Sequence, residues 1–98
     1  MKKLSQEDIE ARLAEFPEWA QNGDSLQRTF GFDDFEGAMS FVNRVAELAE
    51  QHQHHPDIMI RYSKVTLTLS THDAKGLTEK DFELAGDLDA AVVAGTRE

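Results

Sequence analysis

All four histidines of the chain lie between positions 52 and 72, and three of them fall in a pattern that suits proton transfer: Glu50-x-x-x-His54-His55-Pro56, followed by His72. Imidazole is the side chain best matched to giving and taking protons near neutral pH. Glu50 stands one helical turn before His54, so on a helix surface the two are within reach of each other. That carboxylate and the negative end of the helix both favour a protonated His54. His55, past the helix, feels them less. Two imidazoles biased toward opposite protonation states make an acid and a base. The same residues have plainer readings. Adjacent histidines before a proline also make an ordinary polar helix end. A metal site is a further alternative, but neighbouring side chains at a helix end point apart, and the spacing matches no standard zinc pattern. The chain has no cysteine, which excludes disulfides and thiolate ligands. His52 reads as solvated or interfacial, Tyr62 and Trp19 as core, and Asp81 as a helix-cap residue.

Seven elements must position these side chains. Ser5 with Asp8 resembles a capping box and Leu4 with Ile9 a hydrophobic staple, so a first helix starts at Ser5. Ile9, Leu13 and Phe16 form its apolar face and Pro17 stops it. Asn22-Gly23 is a hairpin signal joining a short strand around Trp19 to a longer one, Ser25 to Phe32. Leu26, Phe30 and Phe32 share one face of that strand, together with Arg28, so that either the face is not purely core or Arg28 snorkels to an edge. Asp33 and Glu36 are spaced as a capping box for a second helix over 33–53. Pro56 forces it to end near Gln53 or His54 and pushes His55 into the following loop. Residues Ile58 to Thr71 read as a second hairpin. With Ser63-Lys64 as the turn, Tyr62 pairs with Val65, Ile60 with Leu67 and Ile58 with Leu69, all six on one face. Met59, Arg61, Thr66, Thr68 and Ser70 take the other face, whose parity His72 shares at the strand exit. Gly76-Leu77-Thr78 opens a third helix, with Thr78 and Asp81 at capping-box spacing and Phe82, Ala85, Leu88 and Val92 facing inward. The order α-β-β-α-β-β-α predicts an α+β fold, a four-stranded antiparallel sheet with three helices on one face.

The 98 residues suit a single domain spanning 1–98, and a core that small is marginal alone, which favours oligomerisation. The second helix carries two apolar stripes: Phe35, Ala38, Met39, Val42, Ala46 and Ala49, and beside them Phe41, Val45 and Leu48. One sheet face consumes only part of so wide an arc. The expectation is that Phe41, Val45 and Leu48 pack against a second copy in a homodimer or homotetramer. The net charge of −9, with no basic stripe interleaved with aromatics, argues against nucleic-acid binding and suits a role in solubility. No apolar run is long enough to span a bilayer, and acidic residues follow Lys2-Lys3 where a signal peptide would be apolar, so a cytoplasmic protein is expected.

The run Glu50, His54-His55-Pro56, Tyr62, His72, Asp81 sets seven typed positions within 32 residues. It resembles the pterin-4a-carbinolamine dehydratases. Trp19, Leu26-x-Arg28-x-Phe30, Phe35, Ala38, Phe41, Thr71-His72 and Gly76-Leu77-Thr78 extend the resemblance over nearly the whole chain. It implies three helices on a four-stranded antiparallel sheet. It also implies dehydration of a 4a-hydroxytetrahydropterin to quinonoid dihydropterin plus water, in pterin cofactor regeneration. His54, His55 and His72 would be the active-site histidines, with Glu50, Pro56 and Asp81 supporting them or binding substrate. The pterin is then the substrate, and no metal or redox cofactor is required. The chain departs from the family's habit at Ile58, where an aromatic is common, and at Gln53, where asparagine or aspartate is frequent; both bear on pterin packing and specificity. Family relatives in animals also serve as a dimerisation partner for a transcription factor, so an interaction module with an idle site is an alternative, and a histidine metal-binding protein another.

Overall fold

The computed structural model describes residues 2–95. Its elements are α1 (Gln6–Leu13), β1 (Ala20–Asn22), β2 (Ser25–Gly31), α2 (Phe35–His52), β3 (Asp57–Arg61), β4 (Lys64–Leu69), a short 3₁₀ turn (His72–Ala74) and α3 (Glu79–Gly95). The order and the antiparallel four-stranded sheet are those expected, with strand order β1-β2-β4-β3. Ser5 caps α1, its Oγ accepting the Asp8 N–H at 3.1 Å. The helix stops at Leu13, short of Phe16: Pro17 has no N–H to give the Leu13 carbonyl, which the Phe16 N–H takes at 2.9 Å in a tighter turn. Phe16 still packs on the Phe82 ring, with centroids 5.6 Å apart.

Both hairpins turn one residue away from the expected place. Asn22 pairs with Ser25, so the first loop is Gly23-Asp24, and Gly23 supplies the left-handed angle (φ 62°). In the second, Arg61 pairs with Lys64, which makes Tyr62-Ser63 the loop. Ile60 therefore faces Val65 and Ile58 faces Leu67. The slip is two residues in register, so the side-chain parity survives and Val65, Leu67 and Leu69 remain in the core. Tyr62 does not: it takes a left-handed backbone (φ 55°) and is 85% exposed, contrary to its reading as core.

The core lies between one sheet face and the helices. Leu26, Phe30, Val65, Leu67 and Leu69 meet Phe41, Val45 and Leu48 of α2 and Phe82, Ala85 and Leu88 of α3. Trp19 is buried there, as expected, and donates from Nε1 to Asp89 Oδ1 at 2.9 Å. Of the two alternatives for Arg28, the mixed face holds: Arg28 does not snorkel to an edge but reaches across to α3, pairing with the same oxygen at 2.7 Å.

The stripe expected at a subunit interface is inside the monomer. Phe41, Val45 and Leu48 are buried because Phe41 stacks on Phe30 and Phe32, with centroids 4.7 and 5.1 Å apart. The apolar side chains left over belong to the other stripe, of which Ala38 and Ala49 are buried. Phe35 is 57% exposed, Met39 and Val42 are half-buried and Ala46 is exposed. The opposite sheet face is polar, joined by Thr29–Thr66 at 2.8 Å and Gln27–Thr68 at 3.2 Å.

Candidate active site

The C-terminus of α2 decides where the two adjacent histidines go. The helix starts from Asp34, not Asp33, whose neighbour's Oδ1 accepts the Gly37 N–H at 2.8 Å. It ends with Gln53 in the left-handed region (φ 51°, ψ 44°). The Gln53 N–H bonds the Glu50 carbonyl at 3.2 Å and the His54 N–H bonds the Ala49 carbonyl at 3.0 Å. That pair of bonds is a Schellman motif, here with glutamine where glycine is usual. It reverses the chain so that His54 turns toward α3 while His55 faces outward ahead of Pro56.

His54 consequently does not meet Glu50. Its Nε2 lies 2.6 Å from Asp81 Oδ1, with the His54 side chain 10% exposed and Asp81 fully buried. Glu50 instead holds His55, Oε2 to Nε2 at 2.7 Å, a pair in which both side chains are mostly exposed. One helical turn separates Glu50 from His54 in sequence, but the left-handed residue between them breaks the helical geometry that contact assumed.

Asp81 is a cap as well as a partner. Thr78 stands before α3; its Oγ1 accepts the Lys80 N–H at 3.2 Å, and Asp81 Oδ2 accepts the Thr78 N–H at 3.0 Å. Asp81 Oδ2 also accepts the Thr71 hydroxyl at 2.8 Å. The capping reading of Asp81 and its supporting role are therefore one arrangement. Thr71 bridges to Gly76, N–H to carbonyl at 3.0 Å and 3.4 Å in return, which closes the loop carrying His72. His72 opens the 3₁₀ turn rather than ending the strand, and it is exposed. Among the described residues its ring has no carboxylate partner like those of the other two.

The three histidines converge on one cleft of about 260 Å³, lined by Gln53, His54, His55, Ser70, Thr71, His72, Asp73 and Lys80. Glu50 and Asp81 stand behind His55 and His54, and Pro56 is half-buried beside them; none of the three lines the cleft. His52 is apart from it, bridging α2 to α3 through Asp87 at 2.7 Å. Sequence reasoning gave no site role to Thr71, Thr78 or Lys80. Ser70 carried a signal, since it shares the face parity of His72. Lys80 carried none, because its place in the cleft depends on how α3 docks. Among the described residues no group of three histidine, aspartate or glutamate side chains is arranged to hold a metal ion. No described helix is long and apolar enough to cross a membrane.

A sheet backed by helices, with a histidine cluster at the exits of α2 and β4, defines a small α+β protein. The family profile of pterin 4 alpha carbinolamine dehydratase matches residues 2–91, and the chain belongs to that family. It is 52% identical to a protein of Picosynechococcus sp. over 89% of this chain and 95% of that one. It is 53% identical to a protein of Thermomicrobium roseum over 90% of this chain and 95% of the other. Both relatives are named provisionally as pterin-4-alpha-carbinolamine dehydratases. A Brucella melitensis crystal structure described as a transcriptional coactivator/pterin dehydratase superposes with a TM-score of 0.87 at 31% identity, covering 91% of this chain and 97% of that one. A pterin dehydratase-like protein described as a RuBisCO assembly factor in the alpha-carboxysome gives a TM-score of 0.65 at 26% identity, covering 81% of this chain and 92% of the other.

Proposed function

We propose that this protein dehydrates a 4a-hydroxytetrahydropterin, 4a-hydroxytetrahydrobiopterin or a close analogue, to the quinonoid dihydropterin and water, returning a pterin cofactor to its redox cycle. The observation that carries this reading is the convergence of His54, His55 and His72 on one cleft. The elimination needs two proton movements. An acid protonates the C4a hydroxyl, the C4a–O bond breaks and water leaves. A base takes the N5 proton, and the freed pair completes the C4a=N5 double bond. The protons balance, so the enzyme needs only an exchange between its two groups to reset, and no electron is gained or lost.

His54 and His72 are assigned to these transfers and His55 to holding the substrate. Three features support the division. His54 is held by a buried carboxylate, as an imidazole that must keep one orientation is. His72 is exposed and can exchange protons with solvent. The exposed Glu50–His55 pair is weakly held and free to rearrange around a ligand. The cleft volume is below the roughly 300–1,000 Å³ of drug-sized ligand sites, which suits a flat bicyclic ring with its C6 substituent left outside.

The exposed apolar set on α2 favours a protein partner as well, and a second copy of the chain is the proposed one. If a different protein binds there, the interaction-module alternative gains ground. The test of the enzymatic reading is turnover. Purified protein added to freshly generated 4a-carbinolamine should accelerate quinonoid formation well beyond buffer, and a rate equal to buffer would remove the dehydratase reading.

A further inference from the structure

The Asp81 carboxylate, which can only accept, fixes the sense of a hydrogen-bond chain behind His54. The N–H groups of Lys80 and Thr78 can only donate, to Thr78 Oγ1 and Asp81 Oδ2 respectively. The Thr71 hydroxyl gives its one hydrogen to the acceptor-only Asp81 Oδ2 at 2.8 Å. Across the 2.8 Å contact between the two hydroxyls Thr71 can then only accept, so the Thr78 hydroxyl donates to Thr71 Oγ1. Asp81 Oδ2 is thereby filled by two donors, and the carboxylate presents Oδ1 as an acceptor to His54 Nε2. Nε2 must be the donor. Thr71 is 8% exposed, and Thr78 and Asp81 are fully buried, so water does not substitute for any of these bonds.

Resting on the acid/base reading above, we propose that Thr71 and Thr78 are positioning residues for it: through Asp81 they lock His54 in the tautomer with hydrogen on Nε2, leaving Nδ1 as the nitrogen that exchanges a proton with the substrate. Thr71 has a second duty. It immediately precedes His72, and its backbone pairing with Gly76 sets the base of the His72 loop. One threonine thus holds both proton-transfer groups in register. A hydroxyl is needed because the position must accept from Thr78 and donate to Asp81 at once, which neither valine nor alanine does. Serine keeps both functions.

Nitrogen-15 NMR of the histidine side chains tests this without substrate, and so independently of whether the protein is a dehydratase. Wild type should show His54 with hydrogen on Nε2. Thr71→Val, which keeps the shape and removes the hydroxyl, should give a mixture of tautomers. Its kcat should fall about tenfold with KM little changed, the loss expected when a hydrogen-bond network that orients a proton-transfer group is broken. Thr71→Ser should restore both the tautomer and kcat. A wild-type His54 with hydrogen on Nδ1 overturns the proposal even if Thr71→Val does not fold. So does a folded Thr71→Val that keeps the wild-type tautomer and kcat, or a Thr71→Ser that fails to restore them. If wild type shows the Nε2 tautomer but no dehydration, the lock stands and the catalytic reading fails instead.

Discussion

At the residue scale the three histidines differ in what holds them, and that difference predicts how each will fail. His54 fills the last acceptor of a buried carboxylate. His54→Ala should lower kcat by roughly 10²–10⁴-fold. It should also cost about 1–3 kcal/mol of stability, because Asp81 Oδ1 is left buried and unpaired. His72 is exposed on a loop, so His72→Ala should lose kcat on a similar scale while stability stays within about 0.5 kcal/mol of wild type. Steady-state kinetics beside urea denaturation separates the two. A His54→Ala variant as stable as wild type would mean that the Asp81 contact is not made in solution. The exposed Glu50–His55 pair predicts a third pattern, in which His55→Ala raises KM more than it lowers kcat.

The element scale shows what the sequence made legible and what it hid. Order, sheet type and the core parity of β2 and β4 are readable, because a period of two survives a slip of two residues in register. Tyr62 reads as core because nothing in Ser63-Lys64 distinguishes a turn there from one a residue earlier, and the earlier turn takes Tyr62 out of the strand. The histidine cluster was legible as a group. Its pairing was not, since Glu50 to His54 assumes a helix that Gln53 ends. The threonines were hidden by distance, since Thr71 acts on a residue 17 positions back through one 10 positions ahead. Gln53 makes this scale testable. Gln53→Gly should raise stability by roughly 0.5–1 kcal/mol, since glycine takes a left-handed backbone without strain, and His54 should stay where it is. The readout is a shift of the urea midpoint at constant slope. A destabilised Gln53→Gly would show that the helix does not end in this motif.

For the whole molecule, the proposed assembly rests on the α2 surface. The second stripe, Phe41, Val45 and Leu48, is buried against expectation, while of the first only Ala38 and Ala49 are buried, since periodicity reveals two apolar faces but not how the helix is rotated about its axis. Phe35, Met39, Val42 and Ala46 are the apolar residues available to a second copy, and β3 offers an unpaired sheet edge beside Ile58, Met59 and Ile60, which are exposed. Wild type is expected to run as a homodimer or homotetramer. Val42→Glu should remain folded and lower the mass measured by light scattering. Val45→Glu should instead unfold the chain, because it buries an unpaired charge in the core. A Val42→Glu variant with the wild-type mass would place the interface elsewhere.

The central claim is that one cleft carries both proton transfers of a pterin dehydration. It is tested most directly by the rate of quinonoid dihydropterin formation from 4a-carbinolamine, measured by stopped flow for wild type and for a folded His54→Ala, His72→Ala double variant. Wild type should catalyse the step, and the double variant should fall by at least about 10²-fold, to near the buffer rate. A double variant that turns over like wild type would contradict the claim.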